Sequence, residues 1–228
     1  MGGLGMKGVN MYHYYEDKEF LRKMRAESGG IMRELCHTLK EDFDIGATPF
    51  LVGSGAKNLV TQNANQPVDL DYNLEIVRCE DFDNCRYLKE CVRKSFDKAL
   101  RARGLYWGNC QDSTSVLTAK RQMYFTTDPA NYSIDVCIVM QDDGHYHRLI
   151  HKKTGLTWYD EYYWNIAPQS RELRKKVKHI KECGKWELVR DQYLRLKNHY
   201  LTQNDHDHPS FICYIEAVNN VYNSRKHW

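Results

Sequence analysis

The sequence predicts a mixed-sheet α/β (α+β) core followed by a C-terminal helical extension, and three observations carry that prediction. Residues 68–77, VDLDYNLEIV, alternate strictly between polar and apolar, as a half-buried strand does. Residues 81–103 place Phe82, Tyr87, Leu88, Val92, Phe96, Ala99 and Leu100 at helical spacing, and they lie between strand-like segments. From Pro168 onward the pattern is helical to the end. A division at 165/166 follows, with residues 1–165 as core domain and 166–228 as helical bundle.

In chain order, residues 18–41 show a helical period interrupted by Gly29-Gly30, which predicts a helix pair with a break or kink. Phe50-Leu51-Val52 reads as the first strand and ends at Gly53-Ser54-Gly55. Gly104 is a stop signal for the helix over 81–103. STSVLTAKRQMYF, YSIDVCIVM and HYHRLIHK then read as strands, with turn-forming TTDPAN and QDDG among them. The tail holds three helical stretches: SRELRKKVKHIKECG with Ser170 as cap, KWELVRDQYLRLKNHYL, and PSFICYIEAVNNVYN opened by Pro209.

Composition bounds the function. The 228 residues suffice for one well-buried domain with a smaller extension, and 28% charged with 42% hydrophobic residues is the balance of a folded chain. Thirty-three basic against 30 acidic residues leave a net charge of only +3, which excludes a polycation that coats nucleic acid; any basic partner surface is local. Neither a signal-peptide core nor 18 consecutive apolar residues appear, so a cytoplasmic protein with no membrane partner is expected. Met at position 6 argues against N-myristoylation of the Met1-Gly2 start. The eight cysteines show no C-x-x-C pair, and Cys137 lies in an apolar strand; reduced structural thiols are expected.

Alternation sets Asp69, Asp71, Asn73 and Glu75 on one face of their strand, with Val68, Leu70, Tyr72, Leu74 and Ile76 on the other. Two neighbouring carboxylates on one face repel, an arrangement that gains little unless a divalent cation lies between them; oxygen ligands of this kind suit Mg²⁺ or Mn²⁺. Asp135 is a lone acid in the apolar strand YSIDVCIVM, where a charge needs a partner. If the two strands are neighbours, Asp135 completes the same site. The turn Gly53-Ser54-Gly55-Ala56-Lys57-Asn58 follows an apolar strand: its glycines admit close backbone approach to a phosphate, Ser54 adds a hydroxyl and Lys57 a cation. The spacing is neither a Walker A loop nor G-x-G-x-x-G.

Taken in order, an apolar strand, Gly53-Ser54, a linker, the pair Asp69 and Asp71, and a later strand with Asp135 resemble the signature of the polymerase-beta-like nucleotidyltransferases. The match covers roughly residues 45–140, with the Ser54-to-Asp69 gap at the long end of the pattern. The resemblance implies that Asp69, Asp71 and Asp135 hold two divalent ions (Mg²⁺ or Mn²⁺) with a nucleoside triphosphate, and that Asp135 helps deprotonate the attacking hydroxyl. It further implies transfer of a nucleoside monophosphate to a hydroxyl or phosphate acceptor with release of pyrophosphate. The acceptor class stays open among a small molecule, a nucleotide and RNA. The alternative is a catalytically silent module of the same fold that binds nucleotide or RNA.

Other clusters read more plainly. Lys120 and Arg121, at a strand end, are further phosphate-contact candidates. His145, His147 and His151 share a strand face, but without a clear fourth ligand they read as surface histidines rather than zinc ligands. Asp205-His206-Asp207-His208 reads as a solvated loop. Arg171, Arg174, Lys175, Lys176, Lys178 and Lys181 read as a solvated helix face, with polyanion binding as the rival. Tyr159, Tyr162, Tyr163 and Trp164 form an aromatic cluster near the predicted domain boundary.

Overall fold

The computed structural model describes residues 11–64, 66–104, 107–121, 131–167, 171–205 and 209–228. In chain order these form β1 (Tyr12–Tyr14), α1 (Lys18–Phe43), β2 (Gly46–Leu51), α2 (Gly53–Lys57), β3 (Thr61–Asn63), β4 (Val68–Arg78) and α3 (Cys85–Arg101). There follow β5 (Gln111–Asp112), β6 (Leu117–Lys120), β7 (Tyr132–Asp142), β8 (His145–Lys152), β9 (Glu161–Ile166), α4 (Arg171–Glu182), α5 (Trp186–Thr202) and α6 (Ser210–Asn223). Two units emerge. One comprises the described parts of Glu16–Val60 and Pro67–Gln169; the other gathers those of Met1–Tyr15, Thr61–Gln66 and Ser170–Trp228. The two short strands β1 and β3, which alternation could not flag at three residues each, thus belong with the C-terminal helices.

The first unit is built on a mixed seven-stranded sheet. Strand β4 is antiparallel to β2 and parallel to β7. On its other side β7 pairs antiparallel with β6 over Ser133–Val136 and with β8 over Val139–Asp142, so Ser133–Val136 and Val139 have strand partners on both flanks. The hairpin β7–β8 turns at Asp143 (φ 46°) and Gly144 (φ 73°), the paired positive φ values of a type I′ turn. Strand β9 closes one edge on β8. It was missed in the sequence because EYYWNI carries no clean polar alternation.

Leu70, Tyr72, Leu74 and Ile76 of β4 and Ile134, Val136 and Ile138 of β7 are buried, as are Met32, Leu35 and Leu39 of α1 and Leu88, Val92 and Phe96 of α3. The Tyr72 hydroxyl meets Ser28 Oγ at 2.9 Å, which ties β4 to α1. Helix α1 runs unbroken for 26 residues, against the expected helix pair. Tertiary packing decides this: Met24, Ile31, Met32, Leu35 and Leu39 are buried on both sides of the glycine pair, and that burial carries the helix through it. At the C-terminal end, Asp44 in the left-handed region donates its N–H to Leu39 and Lys40 carbonyls. Helix α3 starts later than predicted because Asn84 caps it, accepting from the Tyr87 N–H.

His151 corrects an expectation. It is 5% exposed, not a surface residue, and its two ring nitrogens meet Asp112 Oδ2 at 2.8 Å and Asp160 Oδ2 at 2.9 Å, with Tyr162 stacked at 4.1 Å. Carboxylates on opposite ring nitrogens cannot converge on one ion. Lys89, also buried, extends this network with an ion pair to Asp112 at 2.6 Å and a bond to the Ser113 carbonyl at 2.8 Å. All eight cysteines are free thiols.

The second unit contains α4, α5 and α6 with the β1–β3 ribbon. Asn198 of α5 accepts from Tyr12 N at 2.6 Å, and the Tyr14 hydroxyl donates to the Arg190 carbonyl at 2.7 Å. Much of the basic run on α4 has local partners: Lys175 pairs with Glu172, Lys176 donates to Asn219, and Lys181 lies 4.7 Å over Trp186. That is the solvated-face arrangement. His206, Asp207, His208, Ser170 and most of TTDPAN lie outside the described residues. No helix among the described residues is long and apolar enough to cross a membrane.

Removing one partner from a buried ion pair strands the other charge. Lys89→Met is therefore expected to lower stability by about 3 kcal/mol, read as a fall in the urea midpoint with the slope unchanged.

Candidate active site

The polar face of the sheet is set by the register of three strands. The parallel β4–β7 ladder aligns Asp69 with Ser133 and Asp71 with Asp135; the antiparallel β6–β7 ladder aligns Thr118 with Asp135 and Lys120 with Ser133. Residues directly across a ladder share a face. Two rungs result: Asp69–Ser133–Lys120 and Asp71–Asp135–Thr118. The three acids predicted from sequence are thus brought together on one side of the sheet, opposite the buried Leu70, Tyr72, Ile134 and Val136.

Turn geometry adds the fourth element. Val52 donates its N–H to the Asp71 carbonyl at 2.8 Å, carrying the end of β2 alongside β4. Gly53 follows with φ +60°, and a Cβ there would overlap the Asp71 carboxylate, 2.8 Å from its Cγ. Gly55 is pressed on Leu70 in the same way. The turn therefore sits directly against the acids, and glycine is required on both counts. Ser54 accepts at its carbonyl from Asn58 and Leu59 N–H groups, while Lys57 Nζ donates to the Gly53 carbonyl at 2.9 Å.

Electrostatics follow from this crowding. The Asp71 carboxyl is pushed up to about 6, first by burial, then by the charges of Asp135 and Asp69, with Lys57 opposing. Asp135 is also raised, by burial foremost and by Asp69, against a Thr118 hydrogen bond and the Lys120 charge. The predicted cations Lys57 and Lys120 thus act on different acids. Asp69 is exposed and accepts from Ser133 Oγ. Asp135 Oδ1 accepts from Thr118 Oγ1 at 2.5 Å. Thr118 and Ser133 were not singled out by sequence; the only available signal was that each shares a face with an acid or a lysine.

Among the described residues no group of three or more His, Cys, Asp or Glu side chains is arranged to hold a metal ion as it stands. What the acids offer is an oxygen-only arrangement whose mutual repulsion Lys57, Lys120 and the Thr118 hydroxyl offset only in part. That suits an ion which takes one or two carboxylates and completes its shell with water and phosphate oxygens, as Mg²⁺ does.

Solved structures share this mixed-sheet fold. The chain is similar to the Elizabethkingia meningoseptica CdnE cyclic dinucleotide synthase with GTP and Apcpp, at 12% identity and a TM-score of 0.52 over 92% of this chain and 77% of that one. It is also similar to E. coli MS115-1 CdnC with ATP (16%, TM-score 0.51, 93% of this chain and 62% of that one) and to the 3′-deoxy GTP bound form of Vibrio cholerae DncV (11%, 0.51, 82% and 58%). The chain thus spans under two-thirds of the length of the latter two. These structures belong to the polymerase-beta-like nucleotidyltransferase superfamily, so the fold the sequence resemblance implied is the fold observed. No family profile and no curated protein matches the sequence.

The raised Asp71 proton affinity has a stability consequence. Its folded-state value of about 6 exceeds the ordinary 3.8, so folding takes up a proton between the two, and this group's contribution falls as pH rises through that window. Asp71→Asn is expected to leave ion-free stability unchanged near pH 3.5 and to raise it by about 1–3 kcal/mol at pH 7.5. Urea melts in EDTA at the two pH values check this; destabilisation at pH 7.5 would contradict it.

Proposed function

We propose that this chain is a divalent-ion-dependent nucleotidyltransferase that moves a nucleoside monophosphate from a triphosphate to a hydroxyl acceptor with release of pyrophosphate. The observation that carries the reading is the parallel β4–β7 register, which sets Asp71 level with Asp135 beside the Gly53 turn. Asp69, Asp71 and Asp135 would hold Mg²⁺ or Mn²⁺. Such ions, when bound, neutralise triphosphate charge and lower the pKa of the acceptor hydroxyl.

The chain's own residues have separable tasks. Gly53, Ser54 and Gly55 bring backbone and a hydroxyl up to the phosphates, with Lys57 and Lys120 as flanking cations. Asp135, level with Asp71 on the neighbouring strand, takes the proton of the attacking hydroxyl. The acceptor oxygen forms a bond to the α-phosphorus as the bond from that phosphorus to the bridging oxygen breaks, and the electron pair leaves with pyrophosphate. The acceptor is taken to be a hydroxyl of a second nucleotide. In support, one neighbour in fold is by name a cyclic dinucleotide synthase, and DncV from Vibrio cholerae was solved with the linear intermediate pppA(3′,5′)pG.

Incubation with pairs of nucleoside triphosphates and Mg²⁺ or Mn²⁺ is expected to release pyrophosphate and yield a phosphodiester-linked product. Asp135→Asn should reduce the rate at least about 1,000-fold, as loss of a group central to metal and proton chemistry does. Gly53→Ala should also lose activity, because its Cβ displaces Asp71, while keeping the far-UV circular dichroism of the parent. Absence of pyrophosphate with every pair would contradict the proposal, and inorganic phosphate as sole product would indicate hydrolysis.

A further inference from the structure

The three acids differ in what holds them. Asp135 accepts from Thr118 Oγ1, and Asp69 from Ser133 Oγ. The Asp71 carboxylate accepts no hydrogen bond among the described residues. Both donors arrive by register: Ser133 lies across β4–β7 from Asp69, and Thr118 across β6–β7 from Asp135. Each hydroxyl ties up one carboxylate oxygen, Oδ1 in both cases, and leaves the other oxygen of that acid for a ligand. Ser133 is itself 5% exposed, so few waters can compete for its hydroxyl.

We propose that Thr118 and Ser133 are positioning residues that hold Asp135 and Asp69 in ion-binding orientation before any ion arrives. This rests on the nucleotidyltransferase reading. A hydroxyl that donates to a liganding carboxylate restricts its rotation and fixes which oxygen is presented, and loss of such a partner typically costs about 10–100-fold in ion affinity or activity. The two hydroxyls would then act as a pair, one for each rung of the sheet, and neither would touch substrate.

Thr118→Val keeps the shape of the side chain and removes only the donor. In thermal-shift titrations of the nucleotide-free protein with MgCl₂ or MnCl₂, it is expected to move the midpoint about 10–100-fold toward higher ion concentration. Thr118→Ser should restore the parent midpoint. Turnover should fall in kcat with the triphosphate KM little changed. Ser133→Ala, acting through Asp69, supplies an independent arm should the valine variant not fold. A merely structural hydroxyl would lower the melting temperature in EDTA without moving the ion midpoint, and that result overturns the positioning role alone. A parent protein that gains no stability from either ion overturns both this role and the ion-dependent reading beneath it.

Discussion

Like charges at close range are the constraint around which this fold is arranged. Asp69, Asp71 and Asp135 repel one another, and Asp71, desolvated by burial first and pressed by the other two charges second, holds its proton well above the ordinary carboxylate range. What keeps them together is the β4–β7 ladder, whose far side buries Leu70, Tyr72, Leu74, Ile134, Val136 and Ile138. A one-residue slip of either strand in that ladder would turn that strand's apolar side chains to the opposite face. The hydrophobic pattern that stabilises the sheet is therefore the same pattern that enforces the electrostatic conflict.

The conflict is graded across the site. Thr118 and Ser133 stabilise two of the acids by hydrogen bonds, and Lys120 and Lys57 supply charge at opposite sides. Asp71, pressed by Gly53 and without a donor among the described residues, carries the largest burden. Strain of this sort concentrated on one group is what a site built to receive a cation and a phosphate looks like before they bind.

Much of this was legible in the sequence, for identifiable reasons. A strand with one polar and one apolar face announces itself by alternation, so β4 and the facing of its acids could be read directly, while β7 stood out as an apolar run that holds a single acid. The resemblance to polymerase-beta-like enzymes supplied the order of the parts. Adjacency could not be read, because pairing between residues 68–75 and 132–139 is long-range and periodicity says nothing about neighbours. The same limit hid the partners of His151, which come from Asp112 and Asp160, and the capture of Asp135 by Thr118. Gly29-Gly30 misled in the other direction: local propensity pointed to a break, and burial of the flanking Met24, Ile31 and Met32 overrode it.

The most direct test of the central claim is a crystal of the protein soaked with Mn²⁺ and a non-hydrolysable nucleoside triphosphate, examined for anomalous scattering. Manganese coordinated by Asp71 and Asp135 together, with the triphosphate lying against the Gly53 turn, is the result expected. Manganese bound elsewhere, or a nucleotide seated away from that turn, would contradict it.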